Sequence, residues 1–446
     1  MDAAEYQRIL NAGTGRAVRM LARRADIPRE TLLAACLHYT AFDPATEGDR
    51  SRYLFRVLQA TGDLPVYRDA ILSSLTETGA HRYDLAQRFA LAACFARRGD
   101  AVARQAIYDA FLANAFHLWN PRDGSVVGAV EIVALDGWQG FLVVAGCLGA
   151  LGKTHEHIWF TDGLLIQLER QSGAQESATA LIPVMQAQKN IAAFIAEAQA
   201  HRHVVATARA MTQTDTPLSY AQLRTFIMQS DGRTLRRSLA RWGADATVDD
   251  LTVAARDLAS VTDLGHARAY ASLFAQRPFP ADPAPLIALA QSEDTTAAQA
   301  ALVALAHVAH PAVRALALEL LDDPVRRVMA VDLLAPNYLP GDENRILALL
   351  NEDVSPHTWH WLGYGALAVF AAHPDANASV LHCIYEHTPC SHCRYRAVAL
   401  LQDRGQLSDA MVDECRHDAH AGTRALAAQA AQATTMMADA EMTVMV

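Results

Sequence analysis

An all-α fold is expected for this chain of 446 residues, on three observations. Hydrophobic residues make up 52% of it, with alanine abundant, but aromatics only 7%. That mix suits closely packed helices better than sheets, which favour β-branched and aromatic side chains. Apolar residues recur at helical spacing, as at Leu85, Phe89, Ala92 and Ala96, which fall on one helical face. Four aspartates, Asp26, Asp63, Asp100 and Asp136, stand at intervals of 37, 37 and 36 residues. A constant period of roughly 20–50 residues marks a repeat architecture, and missing it would misassign the fold. The predicted architecture is an α-solenoid of helical hairpins, in which a chain of this length can form one continuous body.

Residues 1–152 read as a first array with a period of about 37. Asp26, Asp63 and Asp100 each head a similar apolar segment, and Gly62 and Gly99 precede two of them. A glycine stops one helix and the aspartate caps the next by accepting the free N–H groups of its first turn. The ladder is therefore a row of helix starts rather than a row of catalytic carboxylates. Residues 153–280 form an irregular middle segment with helical runs over 178–210, 220–242 and 248–260 but no clear period. The proline-rich stretch from Arg277 to Pro285 is a rigid joint.

Residues 281–433 read as a second array with a shorter period. Asp294, Asp323 and Asp353 are spaced by 29 and 30 residues, and Thr388 and Asp418 by 30. Prolines just inside helix starts, at Pro311 and Pro324, sit where a missing N–H costs nothing. Arg394 and Arg424 each lie six residues past their cap and are followed by Ala-Val or Ala-Leu. His310 and Asp323 head segments in which Val-Arg leads into small and large apolar residues. These segments resemble the HEAT/armadillo class of α-solenoid repeats, well over 283–433 and more loosely over 26–152. The resemblance implies a helix-pair superhelix and a binding surface, and names no particular ligand. The family pattern breaks at Asp353, which is followed by Val-Ser-Pro-His-Thr-Trp-His-Trp with no arginine in place. Residues 434–446, with four methionines, are expected to be a flexible tail.

The net charge of −10 argues against broad attraction to nucleic acid or anionic lipid. Seven scattered cysteines do not make a disulfide scaffold. The first residues lack a basic-then-apolar signal pattern, and the longest apolar stretch, 141–151, is too short to span a bilayer. A cytoplasmic, bacterial-type protein with no membrane partner is expected.

Several motifs carry candidate chemistry. Gly149 to Thr154 resembles the end of a phosphate-binding loop, but Cys147 stands where its first glycine belongs, and a helix closed by Gly152 explains the stretch. Arg98-Gly99-Asp100 spells an adhesion tripeptide that a helix stop and a cap account for. Cys383, His387, Cys390 and Cys393 have zinc-ligand chemistry, with one Cys-x-x-Cys half-motif and a cysteine–histidine pair on one helical face. Buried small residues at a repeat turn are the competing reading. No cofactor is expected, and zinc is the one candidate. His357, Trp359, His360 and Trp361 form the most unusual polar–aromatic cluster. Trp359 and Trp361 cannot share one helical face, so one is expected in the core and the other partly exposed, where it is a binding hot-spot candidate; two aromatic fillers at an irregular repeat are the competing reading. Arg16, Arg19 and Arg23, and Arg233, Arg237 and Arg241, form stripes suited to phosphates or acidic segments, or simply to a solvated face.

The expected function is a non-enzymatic helical-repeat scaffold that binds another protein. A nucleic-acid enzyme resembling the repeat-fold DNA glycosylases is the first alternative; the Arg stripes and the tryptophans would line its groove. A zinc-stabilised repeat module is the second.

Overall fold

The computed structural model describes residues 3–22, 27–44, 47, 50–77, 79–155, 157–212, 218–229 and 236–444, with side chains for all of these but 3, 175, 176, 178, 204–212 and 433–444. Among the described residues there are 25 α-helices and no strand. They divide into two compact units, one of Met1–Thr214 with Ala410–Ala428, the other of Asp215–Asp409 with Gln429–Val446.

In the first unit the Arg82–Arg97 helix is buried on nearly every side, through Phe89, Leu91, Ala92, Ala93, Phe95 and Ala96. Gly99 then takes a left-handed turn at φ 89°, which a side chain would oppose. Asp100 caps the following Ala101–Leu118 helix by accepting from the Ala103 amide at 2.9 Å. This stop and cap account for all three residues of Arg98-Gly99-Asp100. The rest of the ladder is less uniform. Asp63 occupies the N-cap of the Leu64–Ser73 helix without a side-chain capping bond. Asp26 lies outside the described residues. Asp136 corrects the reading of a capping ladder: it lies inside the Ala129–Thr154 helix, beside a kink at Gly137 (φ 54°). Its carboxylate accepts from Tyr108 Oη at 2.7 Å and pairs with Arg104. A ring hydroxyl and a guanidinium from the preceding helix have taken the oxygens a cap would need.

Ala129–Thr154 is the one described helix long and apolar enough to cross a membrane by length and composition. It exceeds the apolar stretch visible in the sequence because polar residues interrupt it. Ile132, Val133, Phe141, Val144, Ala145 and Leu148 face the core of the unit. Its partner is the Lys189–Thr212 helix, the most extensive helix pair among the described residues. The helix also disposes of the phosphate-loop reading: it runs unbroken through Gly149 and Gly152, and Lys153 Nζ donates to Lys189 O and Asn190 Oδ1 at 3.0 and 2.9 Å.

Residues 410–428 join this unit through specific bonds. The Ala419 amide donates to Gly13 O at 2.8 Å, Arg56 donates to Asp418 O at 3.0 Å, and Ala419 shares a core with Tyr6, Leu10 and Tyr53. Arg16 pairs with Glu414 at 3.1 Å and Arg19 with Asp413 at 3.3 Å. Two of the three arginines in the first stripe are thus fastened to carboxylates of this same unit. The third, Arg23, lies outside the described residues.

In the second unit five of the ten described helix starts with an assigned N-cap carry a side-chain cap. Thr247, Asp263, Asp294, His310 and Ser355 each accept first-turn amides. Asp323 accepts from Val325 and Arg326 in the turn ahead of the Arg327–Leu333 helix. Asp353 is not the cap of its helix; Ser355, two residues on, accepts from the Thr358 amide at 3.1 Å because Pro356 sets the first turn there. The Val248–Ser260 helix coincides with the predicted run, and the run 220–242 is two helices, Tyr220–Gln229 and Arg236–Asp245. The Ala421–Val444 helix reaches into residues 434–446.

Candidate functional site

The Pro356–Ala372 helix carries most of the candidate residues. Leu362, Gly363, Ala366, Leu367, Val369 and Phe370 bury one side of it. Trp359 belongs to that side: it is 8% exposed and its indole N–H donates to Leu350 O at 2.9 Å. Trp361 is 44% exposed and Tyr364 42%. Positions 357, 360, 361 and 364 follow the three-and-four spacing of a helical stripe, so His357, His360, Trp361 and Tyr364 line one side of this helix. Their rings are held in place by one another. Trp361 Nε1 donates to His357 Nε2 at 3.1 Å, and the His360 ring lies 5.1 Å from Trp361 and 6.2 Å from Tyr364 between centroids. Arg396, from the Ser391–Asp403 helix, sets its guanidinium 4.8 Å from the Tyr364 ring centroid, within cation–π range.

That second helix begins at the Cys-x-x-Cys. Cys390 is its N-cap residue and Cys393 lies in its first turn; both are buried, at 1% and 0% exposure. Thr388 Oγ1 accepts from the Cys390 amide at 3.3 Å and shapes the turn that presents Cys390. Cys393 Sγ lies 3.5 Å from His360 Nδ1. The ligand atoms of His360, Cys390 and Cys393 all fall within 4.8 Å of one another, and among the described residues this is the one group of three or more histidine, cysteine or acidic side chains so placed. The two thiols share a hydrogen bond. Cys390 is held well below the ordinary thiol range by the bond from Cys393 and by His360, against its own burial. Cys393, the donor, is pushed up by that same bond and by burial.

The four-residue set Cys383, His387, Cys390 and Cys393 is therefore not brought together. The Ser379–His387 helix buries Val380, Leu381, Ile384 and Tyr385, which turns its flank to the outside. Cys383 is half-buried on that flank and His387 exposed. The sharing of one face by Cys383 and His387, a correct consequence of helical spacing, places both on the wrong face. His360, grouped by sequence with the tryptophans, supplies the third donor instead. The signal was present in the spacing: Cys390 lies 30 residues after His360, the interval that separates Asp323 from Asp353.

Of the second arginine stripe, Arg233 lies outside the described residues, while Arg237 and Arg241 are exposed on the Arg236–Asp245 helix, opposite buried Leu239 and Gly243. Nearby Arg224 pairs with Asp257 at 2.9 Å. A surface depression of about 420 Å³ is lined by Tyr338, Glu343, His373 and Asp375, of which the first three are engaged. Tyr338 Oη donates to Glu343 at 2.7 Å, and His373 Nε2 bonds Ala335 O at 2.7 Å.

Asp332, on the Arg327–Leu333 helix, faces the Pro356–Ala372 helix where Gly365 has no side chain; a Cβ there would lie 2.7 Å from Asp332 Oδ1. Burial pushes the Asp332 carboxyl up to about 6. An unfolded aspartate ionises near ~3.9, so between about pH 4 and about pH 6 the folded state binds the extra proton and stability falls as pH rises. Asp332→Asn is expected to remove this loss and stabilise the protein at neutral pH by about 1–3 kcal/mol, allowing for partial exposure. Thermal melts across that pH range check it: a variant whose melting temperature still falls as steeply as wild type removes Asp332 as the cause.

Comparison of the chain with family models, with curated proteins and with solved structures gives no match.

Proposed function

We propose that this protein is a non-enzymatic α-solenoid of HEAT-like helical hairpins that binds another protein through the surface centred on Trp361 and Tyr364. The observation that carries the reading is the exposure of these two large aromatics, 44% and 42%, in rotamers already fixed by His357, His360 and Arg396. Aromatic and arginine side chains dominate binding energy at protein interfaces, and a ring ordered in advance loses little entropy when a partner covers it. Alternate helices starting at Thr295, Arg327, Pro356 and Ser391, 32, 29 and 35 residues apart, support the repeat architecture. The nucleic-acid reading draws no comparable support, since Arg16 and Arg19 are engaged by Glu414 and Asp413 and the net charge is −10.

Full-length protein and the Trp361→Ala variant, each immobilised and exposed to extract of the native host, test the reading. Wild type is expected to retain a stoichiometric protein partner. The variant, with an unchanged helical spectrum, is expected to bind that partner about 30-fold more weakly, the ~2 kcal/mol of an interface hot spot. Equal retention by both proteins, or recovery of nucleic acid in place of protein, counts against it.

A further inference from the structure

We propose that His360 Nδ1, Cys390 Sγ and Cys393 Sγ hold a zinc ion, which ties the Pro356–Ala372 helix to the start of the Ser391–Asp403 helix. The proposal stands on the geometry of these three atoms and is independent of the protein-binding reading.

The donor set comes first. Two sulfurs and an imidazole nitrogen form a soft group that suits zinc and does not suit magnesium or calcium, which take oxygen. The three atoms lie within 4.8 Å of one another. Tetrahedral zinc, with Zn–S near 2.3 Å and Zn–N near 2.0–2.1 Å, sets sulfur and nitrogen ligands about 3.5 Å apart. Cys393 Sγ and His360 Nδ1 are separated by 3.5 Å. The polyhedron edge is thus present between side chains of two different helices, 33 residues apart.

The surroundings suit an ion as well. Both sulfurs are buried, at 1% and 0% exposure, while His360 is only partly covered, so an ion can reach the site past the imidazole. The His360 ring is packed by Trp361 and Tyr364, which fixes its plane as supporting groups do around ligating histidines. Cys390 and Cys393 belong to the first turn of a 13-residue helix whose amides favour negative sulfur. Binding displaces the thiol protons to solvent and leaves two thiolates against the dication, a neutral core. Three protein donors leave the fourth tetrahedral position to water or another exogenous ligand, the arrangement of an open rather than a closed zinc site.

The test uses full-length protein, produced without added zinc and purified under reducing conditions without a tag that binds metal. About one zinc per chain is expected by elemental analysis. The apo protein titrated with cobalt(II) is expected to develop thiolate-to-metal charge-transfer absorption and the intense visible bands of tetrahedral coordination, both lost on adding zinc. His360→Ala and the double variant Cys390→Ser/Cys393→Ser are expected to lose both signals, whereas Cys383→Ser and His387→Ala keep them. The cobalt spectrum of wild type and the partly exposed His360→Ala keep the test decisive if the buried double variant fails to fold. Three results overturn the proposal. One is less than about 0.2 zinc per chain together with no cobalt thiolate band. Another is loss of metal from Cys383→Ser with retention in His360→Ala. The third is an intact-mass deficit of two hydrogens mapping to Cys390–Cys393 in metal-free native protein, which would make the pair a disulfide.

Discussion

Gly149→Ala is expected to lower the melting temperature of the first unit, although alanine is the better helix former. The Ala129–Thr154 and Lys189–Thr212 helices approach so closely at this point that a Cβ on Gly149 would run into the backbone carbonyl of Asn190. A backbone atom cannot swing aside as a flexible side chain can, and Lys153 fastens the same segment through Lys189 O and Asn190 Oδ1. The helices would have to separate along the contact that packs Phe141 near Phe194, whose ring centroids are 6.3 Å apart. Overpacking of this kind costs about 1–3 kcal/mol, whereas Gly to Ala in a free helix gains about 1 kcal/mol. The two effects have opposite signs, so one experiment separates them. Net of the propensity gain, a cost of up to about 2 kcal/mol corresponds for a unit of this size to a fall of up to roughly 4–8 °C, to be read by calorimetry. A raised melting temperature would show that helix propensity outweighs close approach here.

Arg88→Ala is expected to be the most damaging single side-chain truncation in the same unit, at about 3–5 kcal/mol. Arg88 is 2% exposed, and its guanidinium donates to Leu37 O at 2.9 Å and Ser74 O at 3.1 Å while pairing with Glu77. Truncation strands Leu37 O, leaves Ser74 O with the Glu77 amide alone at 3.3 Å, and opens a cavity where one of the largest fully buried side chains stood. Arg88→Met, which keeps the stem volume, should lose less. Glu77→Gln should cost under about 1 kcal/mol, because Glu77 is 57% exposed and water screens its pair with Arg88. Denaturant unfolding of the three variants checks the order. A Glu77→Gln loss as large as that of Arg88→Ala would mean that the ion pair, rather than the carbonyl bonds and packing, holds the site.

Local features were legible in the sequence because they depend on neighbours a few residues away. The Gly99–Asp100 stop and cap, the Asp294 cap and the Val248–Ser260 helix all follow from first-turn amides and helical spacing. The contrast between Trp359 and Trp361 follows equally from their offset of two residues, which one face cannot accommodate. Features that depend on distant partners were not legible. The helix reading of 149–154 came from the sequence, but only the fold shows the Lys153 ammonium held by Lys189 O and Asn190 Oδ1. Arg16 and Arg19 looked free until residues 410–428 supplied Glu414 and Asp413.

The candidate site divides the same way. From sequence alone come the all-α class, several of the helix starts, and the residue types able to bind metal or a partner, since propensity, capping and periodicity are local. Which cysteines face a histidine is another matter. It depended on which flank of the Ser379–His387 helix the core would cover, and on the neighbouring helix bringing His360 to within 3.5 Å of Cys393. Helix-on-helix packing buries apolar faces irrespective of the polar residues carried along with them. The grouping of His360 with Cys390 and Cys393 was therefore decided by tertiary structure.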